Sequence, residues 1–552
     1  MYKIAPTMGK FLIDRDLVPS SVGPSKVEPS YFAGGRVRAL RNKEVQQLIE
    51  QFIAGAVRVK KSGCDGVMLH ASHGYLIQQF LSPHTNRRTD QYGGSLENRM
   101  RFLREIIQGI RERCGDFPIV VRLTVDECYA KVGRSGVGYD LEEGVKMAQM
   151  LEQAGIDAID VSSAGYDAFN YWLEPMTFEL GWRKYMAQAV KERVKIPVIA
   201  ANLIRSPEQA EQQLQEGAQD MISLGRPHIA DPHWAEKVRL GKEKEIKRCI
   251  CCLYCIESMQ VNAFVGGHSE CAVNPFVGKE KVELVKDGNN RSVVVAGAGP
   301  AGLTAAEILA RRGFQVTVLE KEARAGGQVA TAAANESKSR IYWSIEDLLS
   351  SAERCGVEIR YRTAATAEEI RKLNPAAVVV ATGGRPIVPG NIEGVHNENV
   401  HTVDEIYGLE EKLTGKQVAV IGSGMTGLET AVLLAEWGNR VTVVEMAAEI
   451  APGMWMQHVD DIRPKLEKHN VAVLLKHKLV RIEDGAVVLE SNRERKMLKA
   501  DKVVLAVGVR PDHVLYAELK DEFANVYLTG DARETGRIAD ATRSAAAIAM
   551  KI

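Results

Sequence analysis

The chain of 552 residues is too long for one hydrophobic core, and at about 150 residues per domain it implies three or four. It has 45% hydrophobic and 26% charged residues, with 71 basic and 71 acidic side chains, so it lacks the positive excess that nucleic acid or anionic lipid attracts. No apolar run approaches a membrane span, and the N-terminal MYKIAPTMGKFLIDRD lacks the apolar core of a secretory signal. The expected setting is the cytoplasm, and the expected partners are small molecules, with no nucleic acid and no membrane.

From Asn42 to Leu240 amphipathic helical stretches alternate with short β-branched runs. A helix to Lys61 precedes the strand GVMLHA, then come the helix LENRMRFLREIIQGIRER and the strand PIVVRLTV. The helix LEEGVKMAQMLEQA, the strand IDAIDVSS, PVIAA, a helix opened by Ser206 and Pro207, and DMISLG follow. Gly63, Gly155 and Gly217 stand where helices stop. The pattern is α/β, with five strands after the first helix where a closed (β/α)₈ barrel needs eight.

The strand GVMLHA runs into HASHGYLIQQFLSPHTNRRTDQYGGSLENR, at the edge where parallel β/α sheets place their chemistry. His70, His73 and Tyr75 suit a substrate carbonyl, since imidazole N–H groups polarise the oxygen and a phenol supplies a proton. Histidines satisfied within a core are the alternative.

Five of the nine cysteines, Cys249, Cys251, Cys252, Cys255 and Cys271, fall in one short region, and crowding of this kind in a reducing compartment favours metal over disulfides. Cys249, Cys252 and Cys255 form C-x₂-C-x₂-C, and Cys271 follows at a distance. That spacing suits a [4Fe–4S] cube better than structural zinc, which normally takes two separated C-x₂-C knuckles, or than unligated thiols. Cys251 is off the spacing and has no assigned role. A nicotinamide gives up an electron pair and a cube passes single electrons, so a flavin is expected on each side of the cluster, the second of them in the first half of the chain.

The second half contains an internal repeat: VVVAGAGPAGLTAAEILARRGFQVTVLE from Val293 aligns without a gap on VAVIGSGMTGLETAVLLAEWGNRVTVVE from Val418. Each copy reads strand, GxGxxG turn, helix, strand, and ends in a glutamate 21 residues after the second glycine. Gly297 and Gly422 permit the tight turn, Gly299 and Gly424 let backbone amides approach a pyrophosphate, and Gly302 and Gly427 allow close helix packing. Glu320 and Glu445 are placed to accept from ribose hydroxyls. Two dinucleotides are implied, and the acid at Glu445, followed by Met446, Ala447 and Ala448, disfavours a 2′-phosphate.

GGQ (Gly326–Gln328), ATGG (Ala381–Gly384) and LTGDA (Leu528–Ala532) resemble the FAD-side features of two-dinucleotide flavoproteins of the disulfide-reductase type. The His70–Arg99 segment resembles the active-site segment of the old yellow enzyme family. The order barrel, CxxCxxC, FAD repeat, NAD repeat resembles the 2,4-dienoyl-CoA reductase, 2-enoate reductase and trimethylamine dehydrogenase group over essentially the whole chain.

This resemblance implies a TIM-barrel-type FMN domain at residues 1–245, an iron–sulfur segment at 246–285, FAD-binding parts at 286–410 and 516–552, and an NAD(H)-binding domain at 411–515, the last two being Rossmann-like. His70 and His73 match the carbonyl-gripping pair, and Tyr75 the proton donor. Arg122 matches the basic residue beside the FMN ring, and Asn202, Gly225 and Arg226 lie on the strand ends that hold its phosphate. Gly327, Gln328, Thr382, Gly383, Gly530 and Asp531 match FAD positions, Gly422, Gly424, Gly427 and Glu445 the NADH site, and Cys249, Cys252, Cys255 and Cys271 the cluster ligands.

The implied activity is NADH-dependent reduction of the C=C bond of an unsaturated carbonyl compound, with electrons passing from NADH to FAD to [4Fe–4S] to FMN. An amine dehydrogenase and an NADH:acceptor diaphorase or structural chain are the alternatives, and a homo-oligomer is compatible with the sequence. The resemblance also implies three strands ahead of the helix containing Glu44–Lys60, so the barrel reads as missing its first strands. A natural short start with unpaired strand edges, a fragment, or completion by another chain would each account for that.

Overall fold

Helix Asn42–Lys61 buries Val45, Ile49, Ile53 and Ala56, one face at helical spacing, in a computed structural model that describes residues 21–26 and 37–552. The chain divides into two compact units. One comprises the described residues up to Glu174 together with Phe178–Pro227, and the other Pro175–Thr177 together with His228–Ile552.

In the first unit five strands, Val67–Ala71, Ile119–Thr124, Ala158–Ser162, Val198–Ala200 and Met221–Ile222, pair in chain order and all in parallel. This is the β/α alternation that the hydrophobic pattern predicts. Three of the connecting helices start at side-chain caps: Ser95 accepts from the Asn98 amide, Asp140 from Glu143, and Ser206 from Gln209 with Pro207 as the first helical residue. Gly63, Gly155 and Gly217 take positive φ after their helices, as placed from the sequence. Ala158–Ser162 is buried throughout, as a central strand covered on both faces should be.

The sequence pattern shows no strand ahead of the first helix, whereas Ser21–Gly23 pairs in parallel with Val37–Ala39. Three-residue strands carry too short a pattern to be read. This pair is tied down from outside, since the Arg88 guanidinium donates to the Pro24 carbonyl at 2.9 Å.

In the second unit the two repeat copies build two five-stranded parallel sheets. The first runs Glu358–Arg360, Gln315–Leu319, Ser292–Ala296, Ala377–Val380, Val526–Leu528. The other runs Ala472–Leu474, Arg440–Val444, Gln417–Ile421, Lys502–Leu505, Val400–Thr402. Four strands of each follow the same order about the glycine-turn strand, as in Rossmann-type sheets, while the fifth comes last in the chain in the first sheet and ahead of the glycine turn in the second. The first sheet gains Val526–Leu528 only after the second is built, so one copy is nested within the other. Gly384–Pro386 pairs antiparallel with Val509–Pro511 where the chain passes between the two sheets. Among the described residues no helix is long and apolar enough to cross a membrane.

Candidate active site and cofactor sites

Register places three polar residues on one rung of the first sheet: His70 pairs with Arg122, and Arg122 with Asp160. The Arg122 guanidinium donates to Asp160 Oδ2 at 2.7 Å and reaches Ser223 Oγ at 3.4 Å. Asp160 is 1% exposed and its Oδ1 has no partner among the described residues, so one oxygen of a buried acid holds the arginine in place. Sequence reasoning missed Asp160, because only the sheet register brings it to Arg122.

The chain leaves His70 through a bent loop. His73 and Gly74 take φ of 62° and 76°, and Tyr75 becomes the N-cap of helix Leu76–Leu81. A non-glycine residue in the left-handed region costs about 1–3 kcal/mol and persists where the surroundings hold it. Here the His73 amide donates to Thr124 Oγ1 at 3.2 Å, its Nε2 lies 2.7 Å from Ser162 Oγ, and its ring stacks on Trp172 at 4.5 Å. The His70 ring lies 5.0 Å from His73 and 5.1 Å from Tyr75, centroid to centroid. Burial and then Arg122 lower the His70 pKa. Burial, His70, Arg122 and Arg183 lower that of His73 far more. Both imidazoles are therefore neutral at neutral pH. Tyr166 and Trp172 stand edge-on to Tyr75 at 5.7 and 6.5 Å, an aromatic wall the sequence did not announce.

Asn202, Gly225 and Arg226 occupy the ends of the last two strands, but two of the side chains are committed to protein partners. Asn202 Oδ1 accepts from the Arg183 amide at 3.1 Å and its Nδ2 donates to Gln213. Arg226 donates to the Glu174 carbonyl at 2.8 Å and to its carboxylate at 2.7 Å. Glu174 is fully buried, and although burial raises its pKa, Arg183 and Arg226 together hold it below its ordinary value. Gly225 faces open space, as a backbone that approaches a ligand requires.

The two glycine turns of the second unit repeat each other atom for atom in their steric demands. Gly297 has φ 105° and a Cβ there would meet the Ala381 carbonyl at 2.6 Å; Gly422 has φ 106° and would meet Ala506 at 2.5 Å. A Cβ at Gly302 or Gly427 would collide with the carbonyl of Gly297 or Gly422 respectively, while Gly299 and Gly424 face open space. Each glutamate closes back on its own turn. Glu320 accepts from the Ala298 and Glu322 amides at 2.8 and 2.9 Å, and Glu445 from the amides of Ser423 and Ala447 at 2.8 and 2.7 Å. Burial works against the charge of Glu445, but those amides and the Ser423 hydroxyl keep its pKa below the ordinary value.

A cavity of ≈ 1300 Å³ within this unit is lined by Gly297, Gly299, Glu320, Gly327, Gln328, Thr382, Gly383 and Asp531. Cys251, Cys252 and Tyr254 line the same cavity. Gly530 has φ 59° and packs on Ala301, presenting Asp531 beside the first glycine turn.

The cysteine loop winds tightly because Cys251 and Leu253 both take left-handed conformations, with φ of 58° and 60°. Cys249, Cys252 and Cys271 pack against one apolar cluster of Ile250, Tyr254, Ala272, Val273 and Ala539. Ser269 Oγ donates to the Cys255 carbonyl at 2.7 Å, and the Glu270 amide to Ser258 Oγ at 2.9 Å, which brings the segment before Cys271 beside helix Tyr254–Asn262. Burial raises the Cys271 thiol to about 11 against the pull of the Val273 and Asn274 amides aimed at its sulfur, and burial raises Cys252 further. No disulfide joins any of these cysteines. Among the described residues no three His, Cys, Asp or Glu side chains converge tightly enough to hold one metal ion. A cube bound at separate iron corners does not ask for that convergence, and three thiols against an apolar wall, with Cys255 near Cys252 and Cys271 and amides directed at the Cys271 sulfur, fit its donor set.

Residues 10–245 match the NADH:flavin oxidoreductase / NADH oxidase family, and residues 291–533 match the pyridine nucleotide-disulphide oxidoreductase family. The chain is 40% identical to the NADH oxidase of Thermoanaerobacter brockii over 540 residues, spanning 96% of this chain and 81% of that protein. It is 34% identical to the cinnamate reductase of Clostridium sporogenes over 560 residues, spanning 97% and 82%. A solved structure of 2-naphthoyl-CoA reductase in complex with 2-naphthoyl-CoA superposes with a TM-score of 0.89 at 30% identity, over 96% of this chain and 80% of that one.

Proposed function

The chain belongs to the NADH:flavin oxidoreductase / NADH oxidase family, and from that premise we propose that it reduces the C=C bond of an α,β-unsaturated carbonyl compound at the expense of NADH. It is an enzyme that binds flavin and a pyridine nucleotide. The observation that carries the finer reading is the rung His70–Arg122–Asp160 together with the loop that sets His73 and Tyr75 beside it.

In this reading FMN, FAD, a [4Fe–4S] cluster and NADH supply the electrons, which pass from NADH through FAD, cluster and FMN to the acceptor. The chain's own residues bind and orient. Gly297, Gly299, Gly302 and Glu320, with Gly327, Gln328, Thr382, Gly383, Gly530 and Asp531, hold the FAD. Gly422, Gly424, Gly427 and Glu445 hold the nicotinamide nucleotide, and Cys249, Cys252, Cys255 and Cys271 ligate the cluster. The domain limits drawn from the sequence go with this assignment. Arg122, fixed by Asp160, would hold the FMN ring, and its phosphate would be left to the backbone at Asn202 and Gly225, since Arg226 is spent on Glu174.

At the substrate, the neutral imidazoles of His70 and His73 donate to the carbonyl oxygen as it gains negative charge. For His73 the nitrogen left for the substrate is Nδ1, which carries the proton when the Ser162 hydroxyl donates to Nε2. The Tyr75 hydroxyl gives its proton to the α-carbon. Two neutral histidines beside Arg122 are poor surroundings for an ammonium substrate, which argues against an amine dehydrogenase. The aromatic wall of Tyr166 and Trp172 favours flat, aryl-conjugated acceptors such as those in the names cinnamate reductase and 2-naphthoyl-CoA reductase.

An iron, flavin and nicotinamide inventory of the purified protein, followed by anaerobic NADH oxidation against a panel of enones and 2-enoates, tests the proposal. Acceptor-dependent NADH oxidation with saturated product supports it, and flavin reduction with no product from any acceptor refutes it. The Glu445 carboxylate repels a 2′-phosphate, so NADH is expected to bleach the flavin with a kcat/KM at least about tenfold above that of NADPH. Glu445→Ala should narrow that ratio by raising the NADPH value.

A further inference from the structure

We propose that Glu127, acting through Gln78, is a positioning residue for the proton donor: its carboxylate fixes the Gln78 side chain so that the Gln78 oxygen receives the Gly74 N–H and holds the His73–Tyr75 loop. The inference rests on the reading of Tyr75 as the group that protonates the substrate.

Gln78 Nε2 donates to Glu127 Oε1 at 3.2 Å, and the Gly74 amide donates to Gln78 Oε1. The loop is gripped from its other side too, since Gln79 Nε2 donates to the Gly74 carbonyl at 2.7 Å. Glu127 Oε2 takes the Ser82 hydroxyl at 2.8 Å and the Tyr139 amide at 2.9 Å, so three donors converge on one carboxylate. Glu127 and Gln78 are 5% and 2% exposed, so water does not replace a lost partner. Gly138 makes room, because a Cβ there would run into Glu127 Oε2.

A glutamine amide has one accepting and one donating end, and an ionised carboxylate only accepts. Ionised Glu127 therefore sets which end of Gln78 faces Gly74, together with the Tyr139 hydroxyl, which gives its proton to the Thr124 carbonyl and accepts from the same NH₂. A proton on Oε1 reverses the demand: the Gln78 oxygen turns to Glu127, its NH₂ turns to the Gly74 N–H, and two donors face each other. The loop then loses the acceptor that steadies two successive left-handed residues, His73 and Gly74, immediately before Tyr75.

The groups facing Glu127 are Arg99 from helix Leu96–Cys114, Asp167 beyond the third strand, and the phenols Tyr129 and Tyr139, with Gln78 and Ser82 on its near side. Burial pushes Glu127 up to about 7, against the pull of the Tyr139 amide, Ser82 and Arg99. Because the folded pKa lies above the ordinary 4.5, the folded protein binds the extra proton between those values and loses stability as pH rises through them. Folding favours the protonated acid, whereas the loop needs the ionised one.

The test uses the full-length flavin-loaded enzyme. For wild type, kcat for enone reduction is expected to fall as pH drops through about 7 with KM unmoved, while NADH bleaching of the flavin shows no such limb. Glu127→Gln should lower kcat about 10- to 100-fold at pH 8, the cost of a slightly misplaced donor, and abolish the acid limb with flavin content unchanged. Gln78→Met, which keeps the carboxylate and removes the relay, should do the same, and the double variant should lose no more than either single one. Wild-type kcat with the acid limb retained in both variants overturns the proposal. If Glu127→Gln does not fold, Gln78→Met decides alone by the same criterion. If wild type reduces no enone, the functional reading fails, and hydrogen exchange of a peptide covering Gly74 then judges the relay by itself. Protection, corrected for intrinsic rate, that drops below about pH 7 in wild type and is absent in Gln78→Met upholds it; equal protection in both overturns it.

Discussion

Tyr75→Phe is expected to lower kcat for enone reduction about 10²- to 10⁴-fold while leaving the rate of NADH-driven flavin bleaching unchanged. The substitution removes one oxygen and little else. Tyr75 begins helix Leu76–Leu81, and its ring is set by contacts to His70, Tyr166 and Trp172 that phenylalanine retains. A loss of that size is about 3–5 kcal/mol of transition-state stabilisation, more than any packing change at a ring that is 43% exposed would produce. Stopped-flow measurement of the two half-reactions separates the outcomes. A slow oxidative half-reaction with a normal reductive one fits a proton donor, and a near-normal oxidative half-reaction removes Tyr75 from that role.

Cys252→Ser is expected to remove iron and acid-labile sulfide and to lower NADH-driven enone reduction by more than the about 10- to 100-fold that loss of an outer-shell partner costs a metal site. NADH oxidation with a dye acceptor should persist. Serine is nearly isosteric, so the wall formed by Ile250, Tyr254 and Ala272 stays packed. Cys252 lines the cavity that also holds Gly297, Gly299 and Glu320, so in the proposed reading it lies beside the FAD site. Iron analysis with both assays checks the prediction. Full enone reduction in an iron-free variant would mean that electrons reach the substrate by another route.

The two nucleotide turns were legible from sequence because their constraint is local: a strand, three glycines and an acid at fixed spacing leave no other packing, and the Cβ collisions at Gly302 and Gly427 show why. The five parallel strands were legible for a similar reason, since short β-branched runs alternate with amphipathic helices, three of which open at the caps Ser95, Asp140 and Ser206. What sequence did not reveal are pairings between distant positions. Arg226 reads as a phosphate fork until Glu174, 52 residues away, is found holding it. Asn202 likewise spends its side chain on Arg183 and Gln213. Asp160 and Glu127 look like ordinary acids in a strand and a loop, and only the sheet register and the fold of the following loop bring them to Arg122 and Gln78.

The origin of the hydrogen that arrives at the β-carbon of the product distinguishes stepwise electron transfer from direct hydride transfer. If electrons from the nicotinamide are separated into single steps between the two halves of the chain, the hydride's own nucleus is left behind. Reduction of an enone with NADH deuterated at the transferable C4 position, in ordinary water, should therefore give product with no deuterium at the β-carbon, and unlabelled NADH in heavy water should place deuterium there. Deuterium carried from the nicotinamide into the product would contradict the account, because NADH would then be reducing the flavin beside Tyr75 directly.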